Sequence, residues 1–107
     1  MKKATGGRPG RYFVEVDGET YACLPGRWFR KGAFRDPHFR PDEVAFQKAV
    51  DAVKASGKVV LTNDEWDEGT HRARKRLGYI GLFSVADVEV HGTDLSFSVT
   101  DRLEDLK

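Results

Sequence analysis

Residues 12–24 read Tyr12-Phe13-Val14-Glu15-Val16-Asp17-Gly18-Glu19-Thr20-Tyr21-Ala22-Cys23-Leu24. Tyr12 to Val16 is β-rich and alternates apolar with polar. Asp17-Gly18 follows, and both residues tolerate the positive φ of a two-residue hairpin turn. Glu19 to Leu24 is the return strand, and Pro25-Gly26 ends it. An antiparallel hairpin therefore opens the fold.

Upstream, residues 1–10 combine Gly6, Gly7, Pro9 and Gly10 with Lys2, Lys3 and Arg8, which reads as a flexible basic arm. Downstream, Arg27 to Lys31 reads as a third short strand and Asp36 to Pro41 as a loop. A helix is expected over 41–57. Proline suits a first helical turn, where its missing N–H is not needed. Phe46, Ala49, Val50 and Val53 fall at i, i+3, i+4 and i+7 and form one apolar stripe. Gly57 ends it.

Val59 to Leu61 reads as a buried strand. Asn63 to Arg76 is too charged to be core and reads as a short helix or long loop. Tyr79 to Val90 is a long β-rich stretch whose apolar phase slips twice, between Leu82 and Phe83 and between Val85 and Val88, which predicts bulges or barrel curvature. His91-Gly92-Thr93-Asp94 is a turn. Leu95, Phe97 and Val99 alternate with polar residues as a half-buried strand. Asp101 then reads as the cap of a short helix from Arg102 to Leu106. The class is α+β: a small antiparallel sheet or barrel in β-β-β-α-β-β-β order, forming one domain over 11–107.

The 107 residues suit one domain, and a 39% hydrophobic fraction beside 33% charged residues is a globular balance. One cysteine, Cys23, makes no intrachain disulfide. No apolar run reaches the roughly 20 residues of a membrane helix, and Lys2 and Lys3 lead into no signal-peptide core. The expectation is a cytoplasmic protein with no membrane partner. Charge is uneven: residues 1–40 hold nine Lys/Arg against four Asp/Glu, and residues 41–70 hold three against seven.

Two stretches carry candidate chemistry. In the first, cations and aromatics interleave: Arg27, Trp28, Phe29, Arg30, Lys31 and Arg35, extending to Arg40. Cations neutralise phosphates, and aromatic faces stack on unpaired bases at roughly 1–3 kcal/mol each. The second is His71, Arg72, Arg74, Lys75 and Arg76, a concentrated positive patch. Side by side, the two would make a groove for a phosphate backbone. The competing interpretation puts Trp28 and Phe29 in the core and pairs the cations of 72–76 with Asp64, Glu65, Asp67 and Glu68. Asn63, Glu65, Asp67 and Gly69 superficially follow a calcium loop, but the glycine falls one place late and the closing acid is missing. No metal, cofactor or catalytic motif is read from the chain.

Residues 12–31, closing on Pro25-Gly26-Arg27-Trp28-Phe29-Arg30-Lys31, resemble the opening strands of small OB-fold RNA-binding domains. The pattern is similar to bacterial translation initiation factor one and to the N-terminal domain of a ribosome-associated assembly GTPase. The resemblance covers about a fifth of the chain and implies RNA contact by Arg27, Arg30 and Lys31. The Gly-Asp-x-Val strand of those families has no match here. Gly78-Tyr79-Ile80-Gly81-Leu82-Phe83-Ser84-Val85 resembles the central barrel strand of PUA-like domains, which also read nucleic acid.

The functional expectation is a nucleic-acid-binding domain, with RNA or single strands favoured. Arg27, Arg30, Lys31, Arg35, Arg72, Arg74, Lys75 and Arg76 would hold phosphates, and Trp28 and Phe29 would stack on bases. The alternative is a protein-interaction module, an inhibitor or assembly accessory, whose partner meets the charged surfaces. Burial of Trp28 and Phe29 with exposure of Trp66 would favour that alternative. The oligomeric state is not legible.

Overall fold

A computed structural model describes residues 1–6 and 12–107. The hairpin forms as expected, with β2 (Phe13–Val16) and β3 (Glu19–Pro25) antiparallel around Asp17-Gly18, both at positive φ. Before it lies β1 (Ala4–Gly6), paired antiparallel with β2. The start of the expected basic arm is thus a strand, with Ala4 buried. The rest of the arm, residues 7–10, lies outside the described residues.

After β3 come a single 3₁₀ turn at Gly26–Trp28, β4 (Phe29–Arg30) and β5 (Ala33–Asp36). The third strand expected over Arg27 to Lys31 is thereby shortened. Lys31 and Gly32 take φ of 51° and 79° and reverse the chain there. The helix α1 (Val44–Ser56) starts a turn later than Pro41 suggested, with Glu43 in extended backbone before it. It ends where expected, on Gly57 at φ 67°. Ala49, Val50 and Val53 are buried and Phe46 packs beside them.

Three long strands complete the chain: β6 (Lys58–Asp67), β7 (Arg72–His91) and β8 (Asp94–Asp105). They correct two expectations. The polar stretch Asn63 to Arg76 is the end of a hairpin rather than a helix or loop. Its acids and bases mirror each other across the ladder, Asp64 opposite Arg76, Glu65 opposite Lys75 and Asp67 opposite Arg72. Opposed charges of this kind favour pairing by roughly 0.2–1 kcal/mol each. The C-terminus is strand instead of helix. Leu106 is buried and Leu103 exposed, a spacing of three that imitates a helical turn.

The sheet runs β1-β2-β3-β6-β7-β8-β5-β4. It is mixed instead of purely antiparallel, because β3 and β6 pair in parallel across the α1 crossover. The fold is α+β: one eight-stranded sheet and one helix. The free edge of β1 meets the end of β8. Lys2 N–H donates to Asp105 O at 3.2 Å, Lys107 N–H to Lys2 O at 3.0 Å and Ala4 N–H to Lys107 O at 3.0 Å.

This return explains why the central strands are apolar on both faces. Ala22, Leu24, Val59, Leu61 and Phe83 pack beneath α1 and β5, with Phe34 stacked on Phe97 at 4.4 Å. Cys23, Val60 and Leu82 point the other way, against Ala4, Val14, Val16 and Leu106. Continuous apolar runs are what two-sided burial requires of a strand. Among the described residues, no helix is long and apolar enough to cross a membrane.

The second phase slip corresponds to the register shift between Ala86 and Glu89, where β7 carries the extra residue. At the first, Leu82 and Phe83 face opposite buried sides, and the shift beside them places the extra residue, Leu103, in β8. Near the first, a Cβ on Gly81 would sit 2.8 Å from the Glu104 carbonyl oxygen. A Cβ on Gly78 meets nothing within 4 Å. Gly81→Ala is therefore expected to lower stability by about 1–3 kcal/mol, as overpacking against fixed backbone does. Gly78→Ala should stay within about 0.5 kcal/mol of the parent. Urea midpoints of the two variants check this, and equal midpoints would contradict the close approach at Gly81.

Candidate functional site

Beyond the core, the β6–β7 hairpin leans over the ends of β3 and α1 and leaves a pocket of about 210 Å³. Cys23, Leu24 and Pro25 of β3 line one side, and Thr62, Asp64 and Trp66 of β6 another. Arg72, Ala73 and Arg76 come from β7, and Tyr12, Arg40 and Phe46 complete the wall. Strand alternation explains the contributions of β6, since residues 62, 64 and 66 share a face.

Asp64 lies at the bottom, its side chain 2% exposed. It pairs with the Arg76 guanidinium through Nε and accepts a hydrogen bond from Thr62 Oγ1 at 3.0 Å. At the rim, Glu43 Oε1 lies 3.0 Å from Arg72 Nη2 and 3.6 Å from Arg40 Nη1. Arg40 also donates to the Thr70 carbonyl at 2.9 Å, tying the hairpin tip to the loop before α1. Three guanidinium groups thus face two carboxylates, leaving one positive charge in excess.

Burial raises the Tyr12 hydroxyl to about 12, reinforced by the Glu43 charge, so the phenol is neutral at physiological pH. Burial likewise pushes the Cys23 thiol up to about 11. Cys23 is thus a protonated core thiol, not an activated nucleophile. Two buried donors beside the pocket, Trp66 Nε1 and Arg76 Nη1, have no hydrogen-bond partner among the described residues. Neither does Trp28 Nε1.

A second, open depression adjoins the first. Arg27, Trp28, Arg30, Ala33, Arg35 and Pro37 line a trough of about 460 Å³. Trp28 meets Trp66 edge-on at 5.7 Å, and the Arg27 guanidinium lies 4.4 Å from the Trp66 ring centre. Arg27 also pairs with Glu68 at 3.0 Å, and the His38 and His71 rings stack at 3.9 Å. The two basic stretches read from the sequence therefore share one region of the surface.

Their residues are not equivalent. Arg30, Lys31, Arg74 and Lys75 are exposed and form no ion pair among the described residues. Arg35 pairs with Asp94 at 3.3 Å, and Arg27 and Arg72 are paired as above. Arg76 points inward to Asp64. Phe29 faces Phe83 at 5.8 Å in the core cluster, leaving Trp28 and Trp66 as the aromatic pair of the region. Trp28, Phe29 and Trp66 are all half-buried, so the burial contrast named for the alternative is not met. Sequence reading missed Tyr12, Phe46, Asp64 and Trp66 as wall residues. Of these, Trp66 carried a signal, a lone large aromatic among acids. Among the described residues, no three His, Cys, Asp or Glu side chains converge on a metal site.

No protein-family model, curated protein or solved structure matches this chain.

Asp36 holds the loop that delivers His38 to His71. Its carboxylate accepts the His38 backbone N–H at 2.8 Å. Burial raises its pKa above the ordinary 3.8, outweighing that hydrogen bond and the nearby positive charges. The folded state thus holds the proton more tightly than the unfolded chain. The stability Asp36 contributes is full below the unfolded value and is lost as pH rises through the folded one. Asp36→Asn keeps an acceptor for His38 without the charge. Relative to the variant, the parent should lose stability from about pH 4 upward, levelling off above the folded pKa. Urea unfolding of both proteins across this range checks the sign, and a parent that gains on the variant refutes it.

Proposed function

We propose that this chain is a small nucleic-acid-binding domain that takes single strands, RNA in preference, along the Arg27–Arg35 trough and past the tip of the β6–β7 hairpin. The observation that carries the reading is the trough itself. Four residues singled out as phosphate or base contacts, Arg27, Trp28, Arg30 and Arg35, line one depression. A second basic stretch is joined to it through Trp28 and Trp66.

The free cations Arg30, Lys31, Arg74 and Lys75 would engage phosphates directly. The exposed pairs of Arg27, Arg35 and Arg72 would exchange carboxylate for phosphate at little cost, since such bridges contribute only about 0–1 kcal/mol. With this reading goes a closed barrel of β1, β2, β3, β6, β7 and β8, in keeping with the likeness to OB-fold and PUA-like domains. The three backbone hydrogen bonds between β1 and the C-terminus support it. The protein-interaction alternative loses part of its acidic surface, because Asp64 is buried against Arg76.

Fluorescence anisotropy of labelled single- and double-stranded RNA and DNA across a salt series tests the reading. Binding in the micromolar range is expected, strongest for single-stranded RNA. About five phosphate contacts should give a log–log salt slope near −3.5. Arg74→Ala/Lys75→Ala should make that slope shallower by about 1.4. If no oligomer binds even at low salt, the nucleic-acid reading fails and affinity capture of a protein partner takes its place.

A further inference from the structure

The pocket beneath Trp66 is not a phosphate site, although three arginines surround it. Its deepest charged group is a carboxylate, Asp64, which already neutralises the Arg76 guanidinium that a phosphate would need. Glu43 occupies the guanidinium groups of Arg72 and Arg40 at the rim. The surroundings of the pocket are amphoteric. Trp66 Nε1, Arg76 Nη1 and the neutral Tyr12 hydroxyl are donors, and Asp64 and Thr62 retain lone pairs as acceptors. Its apolar lining is largely flat and aromatic, from Tyr12, Phe46 and Trp66, with Tyr12 and Phe46 ring centres 4.3 Å apart.

The volume narrows the choice further. At about 210 Å³ the pocket is smaller than a typical site of about 300–1,000 Å³ for a drug-sized ligand. It suits a single heteroaromatic ring system. Trp66 and Arg76 line the pocket, and Trp66 Nε1 and Arg76 Nη1 are buried donors without a partner among the described residues, so an acceptor in the pocket reaches them only once those side chains shift.

We infer that this pocket receives one unpaired nucleobase, turned out of a strand lying along the trough. The base would sit against the Tyr12, Phe46 and Trp66 rings. An N–H on its edge would face Asp64, and acceptors on the same edge would engage Trp66 Nε1 and Arg76 Nη1 as those side chains shift to admit the base. A base edge carries both kinds of group side by side, and a phosphate carries only acceptors. Reading an extruded base by edge hydrogen bonds and stacking follows general chemistry. The inference rests on the nucleic-acid reading above and assigns a separate job to a separate cavity.

The indole N–H of Trp66 is its reporter. The chain has two tryptophans, so its ¹H–¹⁵N spectrum holds two indole signals, and Trp66→Phe assigns them by deleting one. Free nucleosides at millimolar concentration should move the Trp66 signal well beyond the Trp28 signal. Inorganic phosphate at the same concentration should not. Ala73→Leu, which fills the cavity from a hairpin arm outside the core, should abolish the movement. In the oligomer assay, a fully abasic strand should bind at least tenfold more weakly than the intact strand, with the same salt slope.

The inference is overturned if no nucleoside moves the Trp66 signal, or if phosphate moves it equally. An abasic strand that binds as tightly as the intact one also overturns it, while the salt slope keeps the trough reading alive. If nucleosides move Trp66 but no oligomer binds, the trough reading fails and the inference is overturned as to the strand, the pocket taking a free nucleoside. Should Ala73→Leu fail to fold, the titrations on the unmodified chain still decide.

Discussion

The fold depends on one strand hydrogen-bonded along both edges. β7 runs for twenty residues, with β6 on one side and β8 on the other. A straight strand of that length would span roughly 65 Å at about 3.3 Å per residue, yet the whole molecule is 34 Å along its longest axis. β7 must therefore bend, and the register shifts along it are where it does so. Each shift places two residues against one and increases the local twist. Gly81 admits the backbone of β8 where a side chain would block it. Backbone hydrogen bonds tie Lys2 and Ala4 to the C-terminal residues, and both faces of β3 and of the adjoining parts of β6 and β7 are covered.

The same strand builds the site. Its first residues, with the last residues of β6, extend past the core, where no apolar layer covers them. Pairing there rests on the ladder and on opposed charges. Where the hairpin folds back over β3, one of those pairs, Asp64 with Arg76, becomes buried. A buried pair stabilises weakly, because desolvation opposes its attraction, but removing one partner typically costs about 3–5 kcal/mol. Asp64 and Arg76 thus fix the hairpin's position over the pocket more than they add to net stability. Arg76 spends Nε on this contact and leaves Nη1 without a partner.

Much of the core was legible because periodicity reports burial directly. The hairpin around Asp17-Gly18, the stripe of α1, its stop at Gly57 and the slips near Leu82 and Val85 all follow from residue spacing. The errors share a cause. Asn63 to Arg76 looked like loop because charged residues on both faces carry no period of two. Their strand character lies in the pairing of one arm with the other, acids ascending and bases descending. Residues 102–106 looked helical because Asp101 suits an N-cap, and the burial of Leu106 depends on Ala4 at the other end of the chain. Of the site, the basic stretches were visible and the pocket was not. Tyr12, Arg40 and the pair Asp64 and Trp66 come from three places in the sequence, and no local pattern joins them.

Charge and burial divide the region into two kinds of surface. Around the trough, cations are exposed and unpaired or held in exposed bridges, so their attraction for a polyanion reaches into solvent and is screened by salt. In the pocket, both carboxylates are already held by guanidinium groups, and the tyrosine hydroxyl and the cysteine thiol stay protonated at physiological pH. An incoming group there meets fixed, mostly neutral hydrogen-bonding atoms and aromatic faces. Such a site discriminates by shape and by donor–acceptor pattern, and ionic strength affects it little. A polymer carrying charge along its backbone and flat polar rings at intervals presents both features to adjacent surfaces at once. The junction of the two surfaces, Trp28 edge-on to Trp66 beneath the Arg27 guanidinium, is where a strand held by its phosphates in the trough would have to turn a base inward.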